Sequence, residues 1–157
     1  MEELLDSVGT ETQPDPARRA DGLKGRVALV TGGSSGIGRA LALAFADSGV
    51  HIAFNYLDDG SDSRQLAQQT ATELRSREVR VYFRSCDVRE SGDVDSFVGE
   101  VVEELGGLHF LINNAGIGRD GAMWRMDDDA WDAVLATNLS GAFYFTRAAA
   151  PTLRGQE

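Results

Sequence analysis

Glycines at a fixed spacing separate an apolar run from a helical pattern near the start of the chain. Residues 31–38 read Thr-Gly-Gly-Ser-Ser-Gly-Ile-Gly; they follow the apolar run 27–30, and the helical pattern begins near Ile37. Glycines let a backbone turn sharply beside a pyrophosphate, whose charge the free N–H groups and dipole of a helix N-terminus can meet. The segment therefore predicts a dinucleotide site, which a side chain at Gly32 or Gly36 would obstruct. The structural alternative is a flexible glycine loop or a helix cap.

Small or polar residues also follow two of the later predicted strands. Asp87 and Val88 follow the third strand, and an Asn-Asn-Ala-Gly segment ending at Gly116 follows the fourth. Ala115 and Gly116 would keep the backbone close to a bound cofactor, while Asn114 and its neighbour would tie adjacent loops together. The alternative is that Asp87 is a common turn residue and that the Asn-Asn-Ala-Gly segment is an ordinary turn at the end of a strand.

Asn138 interrupts an apolar stripe in the last helical pattern. It follows Trp131 by seven residues, on a stripe that also holds Val134 and Leu135, so the pattern predicts that Asn138 is buried. A buried amide needs hydrogen-bond partners. Asn138 therefore has either a functional role or a bond to local backbone.

Strand and helix patterns alternate along the chain. The predicted strands lie at 27–30, 52–54, 79–84 and 108–112, and a helical pattern follows each one. The alternation predicts right-handed crossovers in an α/β fold with a Rossmann-like doubly wound parallel sheet, strand order 3-2-1-4, that stops after about four βα units. Ligands would bind beyond the carboxyl ends of strands 1 and 4, where the glycine segment lies. The helical patterns predict these buried stripes: Ile37, Ala40, Leu41, Ala44 and Phe45 in the first helix; Leu66, Thr70 and Leu74 in the second; Val94, Phe97, Val98, Val101, Val102 and Leu105 in the third; Trp131, Val134, Leu135, Leu139, Ala142 and Phe143 in the fourth.

Four further predictions concern a charged strand, a proline, the apolar residues before the last helix, and the bounds of the domain. Arginines alternate with apolar residues in 79–84, which predicts a half-exposed strand at a sheet edge. Pro151 is expected to limit the last helix. Met123, Trp124 and Met126 are interpreted as packing residues. Residues 1–22 are expected to form a disordered polar leader, and 23–157 one domain.

Composition narrows the function classes. The 157 residues carry a formal charge of −10, which argues against nucleic-acid and anionic-membrane surfaces. Neither a signal peptide nor a long apolar run is present. Cys86 is the only cysteine, so a cysteine-cluster metal site is excluded and a reducing cytoplasm is expected. No metal site is predicted.

In their order along the chain, these motifs resemble the short-chain dehydrogenase/reductase family over residues 24–157, with members such as 3-oxoacyl-carrier-protein reductases or broad carbonyl reductases as the nearest types. The resemblance implies that Asp87 accepts a hydrogen bond from the adenine amino group. It also implies that Asn138 is the asparagine of the catalytic tetrad, which distorts its helix and holds a water in the proton relay. The cofactor-binding residues that it implies are Gly32, Ser34, Ser35, Gly36, Ile37, Gly38, Asn55, Tyr56, Asp87, Val88, Asn114, Ala115 and Gly116.

The end of the second predicted strand bears on the choice of cofactor. Many NAD-binding relatives place an acid there to hold the ribose 2′-hydroxyl, whereas this chain has Asn55 and Tyr56, and Asp58 and Asp59 come too late. This favours NADP over NAD. However, no arginine marks a 2′-phosphate pocket, and Ser35 fills a loop position that is often basic in NADP-using relatives.

The catalytic residues that the resemblance implies are only partly present. Relatives continue into a strand carrying a serine and a helix carrying Tyr-x-x-x-Lys, whereas Tyr56, Tyr82 and Tyr144 have no lysine four residues later and Lys24 is the only lysine. We expect an NAD(P)-dependent oxidoreductase for small carbonyl or alcohol substrates, present as a fragment that is inactive alone and is homo-oligomeric in full-length relatives. The alternative is a non-catalytic half-Rossmann module that binds a dinucleotide or a partner.

Overall fold

The computed structural model describes residues 22–60 and 62–155, so nearly all of the predicted leader lies outside the described residues. The strands are β1 (Val27–Val30), β2 (His51–Tyr56), β3 (Val81–Ser85) and β4 (Phe110–Ile112). The helices are α1 (Gly36–Asp47), α2 (Ser63–Arg75), α3 (Ser91–Leu105), α4 (Asp128–Leu135) and α5 (Gly141–Gly155). A 3-10 turn at Met123–Arg125 precedes α4, and a π-helical turn at Ala136–Ser140 joins α4 to α5.

The four strands form one parallel sheet in the order β3-β2-β1-β4, which confirms the predicted Rossmann-like α/β fold. Val30 at the end of β1 pairs with Phe54 of β2 and with Ile112 of β4. The chain order reverses between β1 and β4. The loops that leave these two strands therefore diverge, and this is where open α/β sheets bind ligands.

Alternate residues of β1 face opposite layers of helices. Val27 and Leu29 point into a core that contains Phe97 of α3 and Phe145 of α5. Ala28 and Val30 point into the other core, which the alanine-rich faces of α1 and α2 cover. Burial on both faces explains why β1 is apolar at every position.

The buried face of α1 differs from the predicted stripe. Ile37 is 74% exposed, whereas Gly38, Ala42 and Ala46 are buried. Small residues bring this helix close to the sheet, and a larger stripe would hold it away. The helical spacing of apolar residues predicted the position of the helix but the wrong buried face. It favoured the larger apolar side chains, whereas the buried face consists of small residues that let the helix lie close to the sheet.

The region predicted as the last helix is divided by the π-helical turn. The predicted stripe is largely exposed, with Leu139 64% exposed, and the buried residues are Gly141, Phe145 and Ala149 of α5. A π turn inserts an extra residue and rotates the following face, so a single helical period cannot describe both α4 and α5. Pro151 lies inside α5, so the expectation that it limits the helix is wrong; proline removes one helical hydrogen bond, and α5 tolerates that loss.

The loop before α4 also departs from expectation. Met123 and Trp124 are 81% and 85% exposed, so the packing interpretation of these two residues is wrong. They lie on the 3-10 turn beyond the sheet, where the described residues offer no apolar surface to cover them.

The edge position predicted for β3 is confirmed, but its polar face is covered by α3. Tyr82 Oη donates to Glu100 Oε2 at 2.6 Å, and Arg84 pairs with Glu100 at 2.6 Å and with Asp93 at 2.7 Å. Burial, and then the hydrogen bond to Glu100, raise the pKa of Tyr82 to about 12. Arg84 thus binds α3 to the sheet, and its charge also disfavours pairing of another strand with the β3 edge.

Candidate functional site

A cavity of about 410 Å³ opens at the carboxyl ends of the strands. The loops after β1, β2, β3 and β4 all contribute to its wall. The predicted residues that line it are Gly32, Ser34, Ser35, Asn55, Tyr56, Asp87, Val88, Asn114, Ala115 and Gly116. The other three predicted residues, Gly36, Ile37 and Gly38, begin α1 directly after the glycine loop.

The glycine loop after β1 needs glycine for two different reasons. Gly32 and Gly36 have φ of 65° and 52°, a left-handed conformation that side chains disfavour. A Cβ at Gly33 would lie 2.5 Å from Phe54 Cβ, and one at Gly38 would lie 2.4 Å from the Gly32 carbonyl oxygen. A Cβ at Gly36, in contrast, would meet no protein atom within 4 Å. The loop is therefore compressed against the protein on one side and open at Gly36.

The start of α1 is suited to an anion. The N-cap residue Ser35 makes no side-chain cap bond, and the first turn contains no acidic residue. The first N–H groups of a helix have no partner within that helix, and its dipole favours negative charge there. A phosphate beside Ser35 and Gly36 would accept hydrogen bonds from these N–H groups and would lie at the positive end of the helix dipole.

Thr31 joins the loops that leave β1 and β4. Its Oγ1 accepts hydrogen bonds from the backbone N–H groups of Asn114 and Ala115, both at 2.9 Å. In return, Asn114 Nδ2 donates to the Thr31 carbonyl at 2.8 Å. As expected, the Asn-Asn-Ala-Gly segment ties neighbouring loops together, and it does so at the point where the sheet order reverses.

The end of β2 carries no free carboxylate toward the cavity. Asn55 is 2% exposed, and its amide bonds the backbone at Gly32 and Cys86. Tyr56 is buried in the α1 and α2 core. Asp58 follows on the turn, where its Oδ2 accepts a hydrogen bond from Arg64 Nη2 at 2.7 Å.

Asp87 is held by a neighbour that the sequence did not indicate as functional. Arg89 Nη2 lies 2.6 Å from Asp87 Oδ2, and the Arg89 backbone N–H and Nε each donate to Oδ1 at 2.9 Å. These hydrogen bonds lower the pKa of Asp87. The Asp87 N–H donates to Asp93, which Arg84 binds in turn. An adenine amino group at Asp87 would therefore compete with Arg89, which also lines the cavity.

Asn138 is exposed, so the prediction of burial is wrong. Its partners are nevertheless clear: Oδ1 accepts from the Ile117 N–H at 2.9 Å, and Nδ2 donates to the Ile117 carbonyl at 3.0 Å. The prediction failed because the stripe that carries Asn138 faces away from the sheet. Asn138 lies within the π-helical turn, which agrees with the helix distortion that the resemblance implies. Its role in a proton relay remains a prediction.

Cys86 lines the cavity, but its thiol is unreactive. It is buried, and burial raises the pKa of its thiol to about 12. A thiol with that pKa is protonated at neutral pH and is a poor nucleophile. Cys86 therefore behaves as a small buried apolar side chain.

Several other cavity residues had no distinctive sequence signal. Arg119 lies on the loop after β4, and Ala133 and Thr137 reach the cavity from α4 and the π-helical turn. Their placement depends on how that turn packs against the loop. Among the described residues, no cluster of His, Cys, Asp and Glu side chains could hold a metal ion, and no helix in the described ranges is long and apolar enough to cross a membrane.

The sequence profile of the family described as "short chain dehydrogenase" matches residues 26–157. The chain belongs to the short-chain dehydrogenase family. This short-chain dehydrogenase sequence is 38% identical over 129 residues to the 3-oxoacyl-[acyl-carrier-protein] reductase FabG of Staphylococcus aureus, a match that covers 82% of this chain and 51% of that relative. It is 35% identical over 128 residues to the hydroxyacyl-CoA dehydrogenase ChsB1 of Mycobacterium tuberculosis, covering 82% of this chain and 40% of that relative.

A solved structure also shares this fold. The short chain dehydrogenase of Burkholderia cenocepacia, crystallised in complex with NADP, superposes with a TM-score of 0.78 at 36% identity. The match covers 83% of this chain and 52% of that structure. This short-chain dehydrogenase chain thus spans about half the length of its FabG relative and of that solved structure, and 40% of the length of ChsB1.

Proposed function

We propose that the chain forms the dinucleotide-binding half of an NAD(P)-dependent oxidoreductase that interconverts a carbonyl and an alcohol. The main support is the cradle at Gly36, where the loop turns with positive φ, opens to solvent and leads into a helix N-terminus that lacks acids. When bound, the dinucleotide would supply the hydride chemistry. The buried, unreactive Cys86 suits the reducing cytoplasm in which we expect the protein to work.

The described residues divide the proposed site into three parts. The N–H groups of 34–38 would hold the pyrophosphate. Asp87 and Val88 would hold the adenine. Asn114 to Gly116 would hold the segment of cofactor that leads toward the nicotinamide.

We propose NADP as the preferred form. No free carboxylate at the end of β2 would repel a 2′-phosphate, because Asn55 is an amide bonded to backbone and Asp58 is paired with Arg64. The NADP complex of the Burkholderia cenocepacia neighbour is consistent with this choice.

Calorimetric titration of the purified chain with NADP and NAD tests the proposal. We expect both to bind, with NADP at least as tightly as NAD, and a rise in Tm on addition of cofactor.

Gly36→Val should weaken binding more than tenfold by filling the cradle. Gly106→Val is the matched control, because Gly106 has φ of 81° and a Cβ added there also meets no protein atom, but Gly106 lies at the end of α3, outside the glycine loop. Absence of binding at millimolar NADP and NAD would overturn the proposal, and a clear NAD preference would overturn the choice of cofactor.

A second candidate is a binding module without turnover. It is favoured because no tyrosine in the sequence is followed four residues later by lysine. A positioned proton donor contributes about 100-fold to 10,000-fold to rate, so we expect the 157-residue chain alone to reduce no carbonyl above background. NADPH consumption with a reactive diketone, abolished by Gly36→Val, would contradict this expectation.

A further inference from the structure

We propose that Asn55 is a positioning residue. It holds the glycine loop (31–38) and the adenine wall of the site, which is the segment 86–88, as one unit. The proposal rests on the dinucleotide function proposed above. A residue at the end of β2 is well placed to touch the ribose, but the contacts of Asn55 point to a different task.

Asn55 binds two consecutive N–H groups of the glycine loop. The Gly32 N–H donates to Asn55 Oδ1 at 3.2 Å, and the Gly33 N–H donates to the Asn55 carbonyl at 3.1 Å. Each N–H has a single proton to donate. The phosphates must therefore be met by the later N–H groups, from Ser34 onward, and the first two glycines set the loop's position.

The same side chain reaches the opposite neighbour. Asn55 Nδ2 donates to the Cys86 carbonyl at 2.9 Å, one residue before Asp87. Because β2 lies between β1 and β3 in the sheet, one amide on the middle strand bonds the loops that leave both flanking strands. These are the proposed pyrophosphate loop and the proposed adenine wall.

Only an amide satisfies both contacts at this position. Asn55 is 2% exposed, so an unmet hydrogen bond there is costly. Alanine would leave both the Gly32 N–H and the Cys86 carbonyl without this partner. Aspartate would keep the acceptor for Gly32 but place a carboxylate against the Cys86 carbonyl, with no proton to donate. The two substitutions therefore break different sets of contacts.

Hydrogen exchange of the wild-type chain, followed by NMR, gives the first test. We expect the Gly32 and Gly33 amides to be protected before any cofactor is added, and, within the glycine loop, NADP to increase protection only at 34–38. If Gly32 exchanges as freely as Gly36 and becomes protected only with NADP, that amide serves the cofactor and the proposal is wrong. This measurement needs no variant.

Two variants and a control give the second test. Asn55→Ala should raise the Kd for NADP about tenfold, the effect of losing roughly 1.4 kcal/mol, and should expose the Gly32 amide to exchange. Asn55→Asp should raise the Kd similarly while the Gly32 amide stays protected. Thr72→Ala is the control: it removes a side-chain hydrogen bond, from Thr72 Oγ1 to the Gln68 carbonyl, on α2 away from the cavity, and should change the Kd by less than twofold.

The outcomes separate the two proposals. If the wild type binds NADP and both Asn55 variants, folded as judged by their NMR spectra, bind it equally well, Asn55 does not position the site. If the wild type binds neither cofactor while Gly32 is protected as expected, the dinucleotide function fails and the bridge remains a structural feature. If a variant does not fold, the wild-type exchange pattern decides the assignment of the Gly32 amide.

Discussion

Among the glycines of the site, Gly38 leaves the least room for a side chain. It lies in the first turn of α1, directly against the loop that the helix follows. A Cβ there would approach Asn114 Nδ2 to 2.5 Å as well as the Gly32 carbonyl to 2.4 Å. Gly38 therefore determines how closely α1, the glycine loop and the loop after β4 can meet.

We expect Gly38→Ala to destabilise the fold by about 1–3 kcal/mol, the usual cost of overpacking a filled site. Gly99→Ala is the matched control in the exposed middle of α3, where a Cβ meets nothing within 4 Å. That change should stabilise the protein by about 0.5–1 kcal/mol, since alanine is the better helix former. Urea denaturation measures both, and a Gly38→Ala protein as stable as the wild type would show that these contacts yield easily.

At the scale of the elements, two histidines connect the amino ends of the strands. His51 Nδ1 accepts a hydrogen bond from the Arg80 N–H, and His109 Nδ1 accepts one from the Val27 N–H, both at 3.1 Å. Burial, and then the nearby Arg80 and Arg26 charges, lower the pKa of His51 and His109 respectively. Both side chains thus act as neutral hydrogen-bond acceptors between the amino ends of neighbouring strands.

This arrangement predicts a loss of stability in mild acid. Because the pKa values are lowered in the folded state, the unfolded chain binds protons first as the pH falls. The stabilisation is complete above the unfolded histidine pKa of about 6.5 and declines as the pH falls toward the folded values, by about 1 kcal/mol for each hydrogen bond. Urea denaturation between pH 7.5 and 5 measures the decline.

The double variant His51→Asn/His109→Asn provides the control, because asparagine keeps an acceptor oxygen and does not titrate. Its stability should change less than that of the wild type over the same pH interval. Equal slopes would assign the pH dependence to other groups.

For the whole molecule, the exposed apolar surface bears on association. Among the described residues, β4 pairs only with β1, which leaves a sheet edge. The α4 to α5 region exposes Trp131, Leu139 and Phe143. Unprotected edges and contiguous apolar patches both favour association.

We therefore expect the 157-residue chain to self-associate in sedimentation over a range of concentrations. Leu139→Lys should reduce association by charging the exposed helical face, whereas Leu66→Lys, at an exposed leucine of α2, should not. Leu111→Lys tests the strand edge, and its stability must be measured in parallel because Leu111 packs against the core. A concentration-independent monomer would contradict the expectation.

Patterns that are local in the chain were predictable from the sequence. The alternation of strands and helices and the position of the glycine loop follow from hydrophobic periods and turn residues. The sheet order follows from the doubly wound arrangement that this alternation indicates. Gly32 and Gly36 could be identified because a sharp turn with positive φ requires glycine whatever packs around it.

The tertiary structure decided which partners each side chain meets. The buried face of α1 depends on how closely the helix approaches the sheet, and the face of α5 depends on the π-helical turn before it. Asn55 binds residues 23 positions earlier and 31 positions later in the chain, so no local pattern distinguishes a bridge from a cofactor contact. Asn138 likewise finds its partner 21 residues away. Such contacts arise only when strands distant in sequence become neighbours, and a hydrophobic period read along one segment contains no information about them.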